Sequence, residues 1–101
     1  MSQFIISPAA SQDLEEILDY LSQQDLRAGE QFLAEFSQKC RNLARFPNMG
    51  RSYTNLAPQL RGVVMQSHIV FYRNSGNGVE IIRVISGYRD LPSLFGSESE
   101  E

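Results

Sequence analysis

Hydrophobic and polar positions change period several times along the chain, and each change marks an element. Residues 3–7, QFIIS, alternate weakly and end at Ser7-Pro8, the pattern of a short strand. Ser7 can cap a helix, with Pro8 at the first helical position, where its missing N–H costs nothing. Ala10, Leu14, Ile17, Leu18 and Leu21 then follow the spacing of one helix face. Asp13, Glu15, Glu16 and Asp19 mostly occupy the remainder, and the early acids suit the positive end of the helix dipole. SQQD breaks the pattern. Asp25 can cap a second, longer helix whose apolar stripe is Phe32, Leu33, Phe36, Cys40, Leu43 and Ala44. Lys39, Arg41 and Arg45 fall near its C-terminal end, and Pro47 stops it, because a residue before proline is pushed out of the α region. Two helices joined by so few residues pair as an antiparallel hairpin.

Residues 47–59, PNMGRSYTNLAPQ, are rich in Pro, Gly, Asn and Ser and read as a loop. Three β-like runs follow: LRGVVMQ, HIVFYR and VEIIRVIS. NSGNG between the last two is hairpin chemistry. A four-residue loop over 74–77 sets Tyr72 opposite Val79, Val70 opposite Ile81 and His68 opposite Arg83. A five-residue loop shifts that register and flips one strand relative to the other, and the pattern admits both. Both runs are apolar on alternate faces, so one face is expected to meet the helices and the other something else. Leu91, Leu94 and Phe95 precede a polar tail. The order β-α-α-β-β-β predicts an α+β fold: an N-terminal strand and an antiparallel helical hairpin packed on a small antiparallel β-sheet. One domain over residues 1–96 is expected, with 97–101 a disordered acidic tail.

Composition narrows the function classes. With 101 residues, 42% hydrophobic and 21% charged, the chain can bury one core and lies outside the disordered range. No apolar run approaches the roughly 20 residues that span a bilayer, and the N-terminus has no signal-peptide pattern. The lone Cys40 can form no internal disulfide, so a small buried hydrophobe and a cytoplasmic location are expected. The chain has no G-x-S-x-G, no Walker loop, no Cys/His metal pattern and no paired catalytic carboxylates, so neither a metal nor another cofactor is expected. Net charge is −3, but residues 1–38 carry seven acids against Arg27 alone. Residues 39–90 carry eight bases against Glu80 and Asp90, an asymmetry that can mean a basic binding surface.

Taken in order, SPAASQDLEEILDYL, LARFPNMGR, LRGVV, HIVFYR and VEIIRVISGYRDL resemble the RelE/ParE superfamily of bacterial type II toxin–antitoxin toxins over about residues 4–95. The helix-ending FPNMGR and the pair IVFYR…IIRV followed by Gly87 and RD are specific in combination. Within the superfamily the chain looks like the ParE branch. That resemblance implies a toxin that binds and poisons DNA gyrase and is neutralised by a cognate antitoxin, with promoter DNA bound only through the antitoxin. The RelE branch instead cuts mRNA on the ribosome without a metal, using lysines, arginines and a tyrosine.

Metal-free RNA cleavage needs a proton acceptor, a proton donor and cations over the phosphate. His68, Arg61, Arg83 and Arg89 are the residues that could supply them. Against this, the only lysine is Lys39, Ile69 stands where the nuclease branch usually has an arginine, and its tyrosine corresponds to Phe95. A sequence pI of about 5.1 also sits badly with phosphate-driven ribosome binding. Arg83, inside an apolar strand, is expected to pair with a carboxylate or carbonyl, with Glu80 and Asp90 as candidates. Arg61 beside Gly62 reads as a loop-to-strand anchor, and Tyr72 and Phe71 as core or rim aromatics. For contact with target or antitoxin the candidates are Arg51, Arg61, Tyr72, Arg73, Tyr88, Arg89, Asp90, Leu91, Leu94 and Phe95. Gly87 lets the chain leave the last strand there and makes RVISGYRD a docking edge. Many ParE relatives carry a histidine at Ser86 and a small residue at Tyr88. Those departures leave open an altered target, or a chain that retains only antitoxin binding.

Overall fold

The computed structural model describes residues 3–87. The elements are β1 (Gln3–Ile6), α1 (Pro8–Gln24), α2 (Leu26–Arg45), β2 (Arg51–Ser52), β3 (Arg61–Met65), β4 (His68–Asn74) and β5 (Gly78–Ser86). Ser7 caps α1 as its sequence indicates: its Oγ accepts the Ala10 N–H at 3.0 Å, and Pro8 occupies the first turn. Asp25 serves both helices. Its N–H donates to the Leu21 carbonyl, closing α1, and its Oδ1 accepts from the Arg27 N–H, opening α2. A single residue thus links the two helices into the expected hairpin. At the end of α2 the Phe46 N–H donates to Asn42, and Pro47 follows.

The five strands lie in the order β1-β5-β4-β3-β2. The sheet is mixed rather than purely antiparallel. β1 runs parallel to β5, from Gln3 opposite Gly78 to Ile6 opposite Ile81. No tight turn joins those two strands, so nothing forces a hairpin between them. Gly78 makes the pairing possible, because a Cβ there would run into the Gln3 carbonyl. The predicted loop also contains a strand, the two-residue β2, which pairs with Arg61 and Gly62 of β3.

Neither hairpin register expected for β4–β5 is the observed one. Ser75 donates to Gly78, and Asn74 stands opposite Val79. Tyr72 faces Ile81, Val70 faces Val84 and His68 faces Ser86. The ladder skips a residue beside Phe71 and Tyr72, leaving Ile82 as an extra residue between the Ile81 and Arg83 pairings. Such a bulge changes register partway along the strand, so no fixed loop length describes both ends. The Ile82 carbonyl accepts the Ser7 hydroxyl at 2.9 Å, which ties the bulge to the start of α1.

Both faces of the sheet are covered. On one, Val70, Tyr72, Val79, Ile81 and Val84 pack with Phe32, Phe36, Cys40 and Leu43 of α2 and Ala10 and Leu14 of α1. On the other, Ile69, Phe71 and Ile85 pack under Leu56, Leu60, Tyr53 and Ala57. The covering on that second face is the chain's own 53–60 segment. Its Tyr53 ring meets Phe71 edge to face at 5.1 Å. β4 is therefore buried on both sides from Ile69 to Tyr72.

Candidate functional site

β1 ends at Ile6, so the outer edge of β5 has no strand partner beyond Ile81. Side chains of α1 and its cap take over. The Ser7 N–H donates to the Ile81 carbonyl, the Ser7 hydroxyl to Ile82, and the Val84 N–H donates to Asp13 Oδ2 at 2.9 Å. The same carboxylate accepts Arg83 Nε at 2.8 Å and Nη2 at 2.9 Å, a two-pronged pair that is mostly shielded from water. Those hydrogen bonds raise the Arg83 pKa still further, so it remains a cation. Arg83 thus pairs as expected, but with Asp13 on α1 rather than with Glu80; Asp90 lies outside the described residues. Asp13 reads in sequence as one more acid on a polar helix face, and nothing in the spacing distinguishes it.

Beside this edge lies an open groove of about 400 Å³, walled by α1, the β3–β4 turn and the end of β5. Asp13, Glu16 and Tyr20 line one side, His68 and Ser86 the other. The His68 ring stands edge-on to Phe32 at 5.4 Å, and its buried Nδ1 has no hydrogen-bond partner among the described residues. Burial lowers its pKa, so the ring is neutral near pH 7.

The other candidates gather at the opposite end of the sheet. Tyr72 is fully buried: its hydroxyl donates to the Pro47 carbonyl at 2.6 Å and accepts the Gly50 N–H at 2.9 Å. Burial raises its pKa, opposed by the Gly50 hydrogen bond and the nearby Arg61 charge. It presents no surface to a partner, which corrects its place among the contact candidates. Gly50 is close enough that a Cβ would sit 2.5 Å from the Tyr72 hydroxyl. Arg61 is the expected anchor, with Nη1 donating to the Gly50 carbonyl at 2.6 Å. Arg51 is exposed, its guanidinium 5.1 Å from the Tyr53 ring centre. Arg73 is half-buried opposite Glu80, with a buried Nε that has no acceptor among the described residues. Tyr88, Arg89, Asp90, Leu91, Leu94 and Phe95 lie outside the described residues.

These positions decide what chemistry the surface can support. His68 pairs with Met65 at one end of β3, and Arg61 begins the other end. Four residues of strand separate them, about 13 Å along the sheet. Groups that share a reacting phosphate must each come within hydrogen-bond reach of it. Arg83 is held by Asp13, and Arg61 by a backbone carbonyl. His68, Arg61 and Arg83 therefore do not converge. Among the described residues no group of three His, Cys, Asp or Glu could hold a metal ion, and no helix is long and apolar enough to cross a membrane.

Residues 4–91 match the family described as the ParE toxin of the type II toxin–antitoxin system, parDE. The chain is similar to Toxin ParE1 of Mycobacterium tuberculosis (strain ATCC 25618 / H37Rv), with 33% identity over 92 residues, covering 89% of this chain and 94% of the relative. It is similar to Toxin ParE1 of Caulobacter vibrioides at 34% identity over 86 residues, covering 84% and 88% of the two. A solved chain of a chromosomal ParDE TA system from P. aeruginosa shares the fold, with a TM-score of 0.70 at 18% identity, over 85% of this chain and 96% of that one.

Proposed function

This chain belongs to the ParE toxin family of type II toxin–antitoxin systems, and on that premise we propose that it inhibits DNA gyrase by protein–protein binding and is silenced by a cognate antitoxin. The observation that carries this reading over RNA cleavage is the dispersal of the candidate nuclease residues. His68 stands apart from Arg61, and both Arg61 and Arg83 are committed to partners inside the protein. A toxin that works by binding needs no convergent acid and base. It needs surface. The groove between α1 and the end of β5 offers apolar walls with an acidic rim, and Arg51 offers an exposed cation at the other end. Arg51, Arg73, Tyr88, Arg89, Asp90, Leu91, Leu94 and Phe95 remain the proposed contact residues, with Arg61 supporting the loop that presents Arg51.

The test is a supercoiling reaction containing purified gyrase, relaxed plasmid and the folded protein freed of its antitoxin. Loss of supercoiling, or accumulation of cleaved plasmid, is the expected result. Undiminished supercoiling, together with ribosome-dependent mRNA cleavage that His68→Ala abolishes, would overturn the reading in favour of a RelE-like nuclease.

A further inference from the structure

Arg41, Arg45, Arg51, Arg61 and Arg73 come from four different elements, yet the fold delivers them to one end of the molecule. Arg41 and Arg45 occupy the last turns of α2. Arg51 and Arg61 belong to the paired strands β2 and β3, and the connection from α2 into β2 is held by Tyr72. Arg73 is the next residue along β4. None of the five is in an ion pair among the described residues, and Glu80 is the acid the ladder places beside them. The other described acids lie on α1, at the α1–α2 junction and on the first half of α2. Asp13 and Glu16 line the groove at the far end of β5, and Glu35 is bonded to Gln66 of the β3–β4 turn. Among the described residues the charge is therefore polarised, with a cationic end and an anionic one.

We propose that the exposed Arg41, Arg45 and Arg51 of this end bind the phosphate backbone of DNA directly, a contact separate from the antitoxin-mediated promoter binding that the family resemblance implies. All five cations are guanidiniums, whose planar fork matches phosphate oxygens. Two are braced on rings, Arg45 at 5.6 Å from Phe46 and Arg51 at 5.1 Å from Tyr53. Arg73 is half-buried at the margin of this patch, opposite Glu80. Between the arginines, two shallow hollows are lined by Ser52, Thr54, Gln59, Asn74 and Asn77, side chains of the kind that position a protein on phosphate and sugar, and a third, between Arg41 and Arg45, by Gln3, Phe4 and Ala44. The polarised charge also turns this end toward a duplex and the acidic end away from it.

The experiment is fluorescence anisotropy of a labelled mixed-sequence DNA duplex titrated with the full-length protein at rising salt. Binding in the non-specific range, about 10⁻⁴ to 10⁻⁶ M, with a log–log salt slope of about −3 is expected when the exposed arginines each meet a phosphate. Arg51→Glu should weaken binding about tenfold at low salt and flatten the slope by about 1. Arg27→Glu makes the same charge change at the start of α2 and should weaken binding less than twofold. Both positions are exposed, so both variants should melt as the parent does. Equal losses from the two variants would overturn the proposal, because only net charge would then matter. Tighter binding of polyglutamate than of the duplex at the same salt would also overturn it, assigning the surface to an acidic protein segment.

Discussion

The Tyr72 hydroxyl donates to the Pro47 carbonyl and accepts the Gly50 N–H, so one buried oxygen holds both sides of the loop that follows α2. Its ring belongs to the helix-side core. Tyr72→Phe keeps the ring and deletes the oxygen, leaving a buried donor and a buried acceptor unpaired. Such losses cost about 1–3 kcal/mol per stranded group. The variant should unfold at lower urea with an unchanged slope, and an unaltered midpoint would show that water replaces the hydroxyl. The residue's type was readable from sequence, since an aromatic at strand spacing is core material. Its polar end was not. The partners lie 22 and 25 residues away in a loop with no hydrophobic period, so nothing in the pattern pointed to them. The same holds for Asp13, which meets Arg83 across 70 residues of chain.

At the scale of elements, local signals were faithful wherever the cause was local. Ser7-Pro8 starts α1, Asp25 divides the helices, and Pro47 follows the end of α2. The departures arose where partners are chosen in space. β1 could pair parallel with β5 only because the helical hairpin carries the chain away between them. The bulge at Ile82 is recorded by no turn residue, yet it decides which side chains face each other along the rest of β4. Ser7 joins the local and the spatial, since its hydroxyl accepts from Ala10 and donates to the Ile82 carbonyl. Ser7→Ala should therefore cost more than an ordinary cap, about 2 kcal/mol against the usual ~1. Thermal denaturation would measure it, and Ser7→Thr, which keeps the hydroxyl, should recover most of the loss.

At the scale of the whole molecule, the sheet is a shared wall between two cores, one closed by the helices and the other by residues 53–60. Cys40 sits fully buried in the first. Burial pushes its thiol up to about 12 from an ordinary 9.0, so the native protein keeps it protonated and inert. Alkylation of this cysteine should be negligible at pH 8 without denaturant and should rise along the same curve as global unfolding. Labelling ahead of that curve would reveal a partial opening of the helical layer. The sign of the pH effect follows from the raised value. The stabilisation is complete below pH 9 and is lost as pH climbs from there toward 12, because the unfolded chain ionises first.

The burial of β4 on both faces has a cost outside the native state. Ile69, Val70, Phe71 and Tyr72 form an uninterrupted apolar run with strong β propensity and no charge, proline or glycine. Segments of that kind stack into intermolecular sheets when exposed. Arg73 closes the run with a charge, the position of a gatekeeper. A chain that opens far enough to release β4 thus faces a competition between refolding and self-association, and that competition shifts with concentration. The survival of this protein in a crowded cell is governed by how seldom that one strand is seen.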